Sequence, residues 1–438
     1  MKRLEDYIFY YSLKQKEQIA IIFGNEQITY EQLYSLVKER SSVLSKRDES
    51  YVLVRVTQSL DFLITYFAAH LANKAIVPLE KDIPEIRFEE IASIIKASVI
   101  PDDIADILFT TGTTGVQKGV MLKHSAIIAN AENLIEAQGF TNNLSFIISG
   151  PLNHIGSLSK VWPMILVGGT IIITEGIKDI NSFFAAIDLS IHKIATFLVP
   201  ASLRILMQFG KNLLEKYSSK IEFIETGAAP MSESDMELLC NLLPNSRLYN
   251  TYASTETGII STYDYCSNGC IAGCLGEPMK HASVIITNEG TIACKGPMLM
   301  TGYVGDELST NKILIDDVLY TSDLGYIDDY GRLCLEGRKD DIINVGGYKI
   351  SPVEVENIVL RFPDVVDCIC VCDNNPIIGN VLKLIYVPKE KHSFEQKLLI
   401  KFLKANLESY KIPSLYEISD KIQRTFNGKI DRKFYRKL

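Results

Sequence analysis

Ten consecutive residues concentrate hydroxyls, glycines and a cation: Thr110-Thr111-Gly112-Thr113-Thr114-Gly115-Val116-Gln117-Lys118-Gly119. They follow the strand-like run ADILF and precede the helix-like SAIIANAENLIEA. Glycines let backbone approach a ligand closely, hydroxyls and main-chain N–H groups donate to phosphate oxygens, and the lysine adds compact positive charge. The chemistry that fits is a phosphate cradle. It is not a Walker loop, which would require glycine in place of Gln117 and a hydroxyl residue in place of Gly119.

Further polar segments lie far along the chain. They are Asn250-Thr251-Tyr252-Ala253-Ser254-Thr255-Glu256, Tyr320-Thr321-Ser322-Asp323-Leu324-Gly325, Gly337-Arg338-Lys339-Asp340-Asp341 with its continuation to Glu354, and a closing stretch from Arg424 to Arg432 that contains Lys429. With the first loop, they resemble the adenylate-forming superfamily of acyl-CoA synthetases, carrier-loading adenylation domains and luciferases, closest in character to acyl- or aryl-CoA ligases. Weaker matches at 28–33, 71–78 and 296–303 carry the resemblance over essentially the whole chain, and these read as structural. The family departures are Gln117 where proline is usual, Ala253 where glycine is usual, and a shorter stretch before the phosphate loop.

The resemblance implies an ATP site made of Thr110, Thr111, Gly112, Thr113, Thr114, Gly115, Lys118, Gly227, Ala228, Asn250, Tyr252, Asp323 and Arg338. In it Asn250 and Tyr252 face adenine, Thr255 a phosphate, Asp323 both ribose hydroxyls and Glu256 a Mg²⁺ ion. A carboxylate suits a hard cation that bridges phosphates. Lys429 takes the place of the catalytic lysine, where an ammonium neutralises the substrate carboxylate and the charge developing on the α-phosphate. His154, Val199, Pro200 and Ser254 would line the acyl pocket, with His154 also gating the chemistry. Asp340 stands at the hinge, and Gly346 and Gly347 would let a pantetheine arm pass.

Also implied is a two-step reaction: ATP converts a carboxylic acid to an acyl-adenylate, and a thiol displaces AMP. Amino-acid-activating relatives place an aspartate near the histidine, whereas GPLNHIGSLSKVWPMILVGG has no acidic residue, so a neutral or aromatic acid is expected. Coenzyme A is the first choice of acceptor and a separate pantetheinylated carrier protein the second. A non-catalytic nucleotide- or acyl-adenylate-binding module is the reading from another class.

Positioning these residues requires a substantial scaffold. With 438 residues, 47% of them hydrophobic, the chain can bury large cores. Short apolar runs such as YVLVRV, AIVPL, GTIIIT and IEFIETG alternate with amphipathic stretches, the pattern of an α/β fold with sheets covered on both faces. Glycine- and aspartate-rich hairpin signals from Gly269 to Gly337 predict a β-rich subdomain. The expected organisation is a large domain at 1–337, a hinge at 338–341 and a small mobile α+β domain at 342–438.

A net charge of −8 gives no general attraction to nucleic acid or anionic membrane. No run is long and apolar enough to span a bilayer, and MKRLEDYIFYYSLKQ lacks the pattern of a secretory signal, so a cytoplasmic protein is expected. Nine cysteines then read as reduced thiols. Cys266, Cys270 and Cys274 lack the paired spacing of zinc ligands, and Cys368, Cys370 and Cys372 alternate as packing residues of one strand face.

Overall fold

Alternating apolar runs form strands whose two faces enter different cores. The computed structural model describes residues 2–110, 117–177, 179–345, 348–375, 379–390, 394–425 and 429–436. An eight-stranded sheet runs in the order Gly258–Asp264, Arg247–Ser254, Ile221–Gly227, Lys193–Leu198, Leu144–Ile148, Thr170–Ile173, Ile19–Phe23, Glu26–Thr29. Its interior pairs are parallel, and an antiparallel pair closes each edge. Phe146, Ile148, Ile171 and Ile173 pack into one cluster with Trp162 and Ile165, whereas Ile147 and Ile172 join Phe183, Leu203 and Leu239 in another. The two-residue period of a strand therefore explains why these runs are continuously apolar: both faces are covered.

A five-stranded sheet orders Gly302–Tyr303, Lys118–Lys123, Ile104–Thr110, Ala75–Leu79 and Tyr51–Arg55. The expected strand before the phosphate loop and helix after it are both present, and the structure adds a strand between loop and helix. Lys118–Lys123 first returns antiparallel along Ile104–Thr110, with Lys118 opposite Thr110, and only then does the helix His124–Gln138 begin. The reason is local: Val120 and Leu122 are buried on one face and Met121 joins the other cluster, a strand's alternation.

The β-rich stretch forms a sheet ordered Cys274–Gly276, Leu333–Arg338, Val318–Ile327, Thr291–Lys295 and Ser283–Ile286, with Leu314–Ile315 paired to Val318–Ile327. Toward the C-terminus, Val365–Asn375, Gly379–Pro388 and Leu415–Ile418 form a separate three-stranded sheet. Cys368 and Cys370 pack there with Val355, Leu384, Leu399 and Leu403, while Ile369 and Ile385 face Ile422 and Tyr435. Packing thus accounts for Cys368 and Cys370, but Cys372 is exposed. All nine cysteines are free thiols, and among the described residues Cys266, Cys270 and Cys274 do not assemble a metal-ligand set. No helix among the described residues is long and apolar enough to cross a membrane.

Candidate active site

Strand ends and turns bring the separated polar segments to one cleft. Lys118 opens its strand beside the phosphate loop, and its ammonium lies 4.7 Å from the centre of the Tyr303 ring. The Tyr303 hydroxyl donates to Glu256 Oε1 at 3.0 Å. Burial, then the Glu256 charge, pushes the Tyr303 phenol well up, so it stays a donor. Tyr303 reads from sequence as structural, yet it couples the cradle lysine to the carboxylate expected to meet a metal. Thr111 to Gly115, and Gly346 with Gly347, lie outside the described residues.

The adjacent β sheet supplies a second polar pair. Asp323 and Arg338 stand opposite each other on antiparallel strands, with Arg338 Nε 3.1 Å from Asp323 Oδ1. Buried Nε nevertheless makes no hydrogen bond, so this is a charge contact whose alignment falls short of a hydrogen bond. Asp323 Oδ2 accepts the Tyr252 hydroxyl at 2.7 Å. Asn250 is buried and donates through its side-chain amide to the Cys274 carbonyl at 3.1 Å. Ala253 is exposed, and it is not among the residues with positive φ, so alanine costs no backbone strain there. Ser254 and Thr257 hydrogen-bond reciprocally and shape the turn carrying Thr255 and Glu256.

Lys429 enters this cleft from the C-terminal unit. Its pKa is pushed below the ordinary lysine value by desolvation first and by Arg338 second, against the opposing pull of Asp323 and Glu256. The residue as a whole remains exposed, so the crowding is at the ammonium. Its charge also reaches His154, whose pKa burial and Lys429 together push down to about 4. His154 is therefore neutral near pH 7. It caps the helix Ile155–Val167 through backbone alone, and its Nε2, 3.9 Å from Glu80, has no hydrogen-bond partner.

Anchors hold the Lys429 segment by both stems. The Thr425 amide donates to the Lys429 carbonyl at 2.7 Å, Arg424 grips Asp367 through both carboxylate oxygens, and Arg432 donates to the buried Glu356 at 2.6 Å. Arg432 also lies 3.5 Å from Asp341, next to the expected hinge residue Asp340. Arg361 pairs with Glu233 and docks the small unit on the large one.

Phe197 lies against two glycines. A Cβ at Gly156 would come within 3.0 Å of its ring and one at Gly227 within 3.6 Å. Gly227 is also required by its neighbour strand, since a Cβ would stand 2.8 Å from the Thr251 carbonyl oxygen. Ala228 follows with φ +68°, a left-handed conformation that costs a non-glycine residue about 1 kcal/mol or more. Val199 and Pro200 begin the helix Pro200–Phe209 beside this wall. Beneath Phe197 lies a pair that motif reading missed. Lys160 Nζ donates to Glu225 Oε1 at 2.7 Å and sits 5.2 Å from the Phe197 ring centre. One signal was available: Gly156 and Lys160 are four apart on one helix, hence on one face.

Comparison with known proteins bears on family and fold. The family model for the AMP-binding enzyme matches residues 94–304, and that for the AMP-binding enzyme C-terminal domain matches 354–429. The 2-succinylbenzoate–CoA ligase of Staphylococcus aureus strain MRSA252 is 31% identical over 83% of this chain and 72% of its own length. That of Staphylococcus epidermidis is 26% identical over 95% and 94%. Among solved structures, ATP-bound MatB from Rhodopseudomonas palustris superposes with a TM-score of 0.88 at 21% identity, covering 100% of this chain and 98% of its own. o-Succinylbenzoate CoA synthetase from Bacillus subtilis, in complex with its acyl-adenylate, gives 0.82 at 21% identity, covering 98% and 97%. With Lys118, Glu256, Asp323 and Lys429 carried by that fold, the chain belongs to the AMP-binding enzyme family, as an ATP-dependent, AMP-forming acid–thiol ligase.

Proposed function

We infer that the acid is an aromatic carboxylic acid of the 2-succinylbenzoate class and that the acceptor thiol is coenzyme A. The observation carrying the chemistry is the convergence of Lys429, Glu256, Asp323 and Arg338 on one cleft, through the mutual electrostatic influence of their charges. The substrate class rests on the staphylococcal ligases. It also fits a pocket wall built on Phe197, where the nearby carboxylate Glu225 is already paired to Lys160 and so does not serve a substrate ammonium.

In the first step a carboxylate oxygen of the acid attacks the α-phosphorus of ATP and pyrophosphate leaves. Asp323 and Arg338 orient the ribose, Lys118 and the threonine–glycine loop hold phosphates, and Lys429 neutralises the negative charge that grows on the α-phosphate. In the second step a thiolate attacks the acyl carbon and AMP leaves, after the small unit turns about Asp340 and Gly346-Gly347 admit the pantetheine arm. Glu256 fits Mg²⁺: Tyr303 occupies one carboxylate oxygen, leaving the other as the single hard ligand typical of a metal shared with phosphates. When bound, the ion neutralises phosphate charge.

The deciding experiment offers the enzyme, with ATP and Mg²⁺, a panel containing 2-succinylbenzoate, substituted benzoates, malonate, fatty acids and amino acids. Coenzyme A and a pantetheinylated carrier are supplied separately, and thioester is detected by mass. Thioester from the aromatic acid and coenzyme A is expected. Turnover confined to the carrier, or to malonate or amino acids, would overturn the assignment.

Tyr303→Phe should raise the Mg²⁺ concentration needed for half-maximal pyrophosphate exchange about tenfold, the scale of one hydrogen bond to a charged group. A Mg²⁺ dependence that does not move would remove Tyr303 from the metal's environment.

A further inference from the structure

A second cluster of ionisable side chains lies in the core of the large domain, made by elements that the active site does not use. Glu5 comes from the helix Leu4–Lys14, His70 from Leu60–Leu71, and His124 opens His124–Gln138. All three are buried, at 4%, 0% and 8% exposure. One ligand atom from each lies within 4.8 Å of the others.

The surroundings prepare His70 as a ligand. Its Nε2 is 2.9 Å from Asp106 Oδ1, Asp106 Oδ2 accepts the Tyr66 hydroxyl at 3.0 Å, and Trp162 donates to Tyr66 at 2.9 Å. A carboxylate on one imidazole nitrogen, itself held by further donors, is the arrangement that orients metal-bound histidine and leaves the other nitrogen's lone pair for the ion. That other nitrogen, Nδ1, lies 3.1 Å from Glu5 Oε1. A tetrahedral site with bonds near 2.0–2.1 Å has ligand–ligand edges of about 3.3 Å, so Glu5 and His70 already stand at coordination spacing. The second Glu5 oxygen is buried and has no partner. The His124 ring meets that of His70 edge-on, with centroids 5.0 Å apart.

Charge supplies an independent reason. Glu5 and Asp106 place two carboxylates in one apolar core, and each buried ion costs several kcal/mol unless compensated. Among the described residues Arg3 makes no ion pair with either carboxylate, donating instead to the His70 carbonyl and to Asn73, although its charge also reaches His124. A doubly protonated His70 would cancel only one of the two negative charges, whereas a divalent ion with neutral imidazoles cancels both. We propose that Glu5, His70 and His124 bind a structural zinc-class divalent ion, with Asp106 as the positioning residue for His70 and a water completing four-coordination. The ion would clamp the N-terminal helix to the body of the large domain.

The test uses the full chain without a polyhistidine tag. After stripping with chelator and incubation with Zn²⁺, mass spectrometry of the metal should find one equivalent per chain, and the melting temperature should rise by several degrees. Co²⁺ in its place should give the visible absorption of a tetrahedral nitrogen–oxygen site. Glu5→Gln and His124→Asn should abolish that spectrum, and Asp106→Asn should weaken zinc binding 10–100-fold. If Glu5→Gln fails to fold, His124→Asn carries the comparison. Less than about a tenth of an equivalent of zinc with no change in melting, or a nitrogen NMR spectrum showing protons on both His70 nitrogens after zinc treatment, would overturn the site and leave His70 as an imidazolium clasp between two carboxylates.

Discussion

Lys429→Ala is expected to slow acid-dependent exchange of pyrophosphate into ATP by roughly 10²–10³, the loss typical of one charge-stabilising donor, while thioester formation from supplied acyl-adenylate stays largely intact. The asymmetry follows from geometry. The ammonium is subject to the charges of Arg338, Asp323 and Glu256, where charge would grow during adenylation, and in the proposed mechanism it leaves with the small unit before the thiol attacks. Equal losses in the two half-reactions would refute the assignment.

The same residue sets a pH dependence. Its pKa in the free enzyme lies below that of an ordinary lysine because the ammonium is desolvated and faces Arg338. The charged form is the useful one, so kcat/KM for ATP should fall as pH rises through that lowered value, earlier than an ordinary lysine would give. kcat/KM reports the free enzyme, which is the state described. Lys429→Arg, whose guanidinium stays charged, should remove the alkaline limb even where geometry lowers the plateau. His154, neutral above about pH 4, should contribute no limb between pH 5 and 9.

What could be read in the sequence was what sits in continuous segments. Residue type and spacing alone pointed to the phosphate cradle, whereas the roles of Glu256, Asp323, Arg338 and Lys429 came from the resemblance of their continuous segments to a known family. The alternating cores were legible from local spacing, since Phe146 and Ile147 must point to opposite faces. Contacts between distant segments were not. Tyr303 meets Glu256 across 47 positions, and Lys160 meets Glu225 across 65; each pairing depends on strand order, which no local pattern encodes. The strand Lys118–Lys123 is hard to discern in sequence because it is short and lies between a glycine-rich loop and the strong helical period of His124–Gln138. Asn250 illustrates a further limit: its segment is a motif, but which groups its amide meets is decided by the strand at Cys274.

Lys160→Met should cost roughly 3–5 kcal/mol of stability, the usual penalty for leaving one member of a buried ion pair uncompensated. Lys160 and Glu225 are almost wholly inaccessible, at 2% and 0% exposure. Burial lowers the Lys160 pKa against the restoring pull of Glu225, so the pair survives as ions only because each answers the other. Glu225 Oε2 and Thr226 Oγ1 lack partners already, and removing the ammonium would strand the whole carboxylate. The double variant Lys160→Met/Glu225→Leu removes both charges while keeping apolar volume, and it should recover most of the loss. Chemical denaturation of the three proteins measures the coupling. Phe197 gives the pair a functional reading as well, because its ring lies 5.2 Å from the Lys160 ammonium and against Gly156 and Gly227, next to the residues proposed to line the acyl pocket. If the pair only stabilises the core, the double variant keeps the wild-type preference among aromatic acids; if it also holds the ring in place, KM for the acid rises while KM for ATP does not. A single variant as stable as the wild type would strip the buried pair of its structural importance.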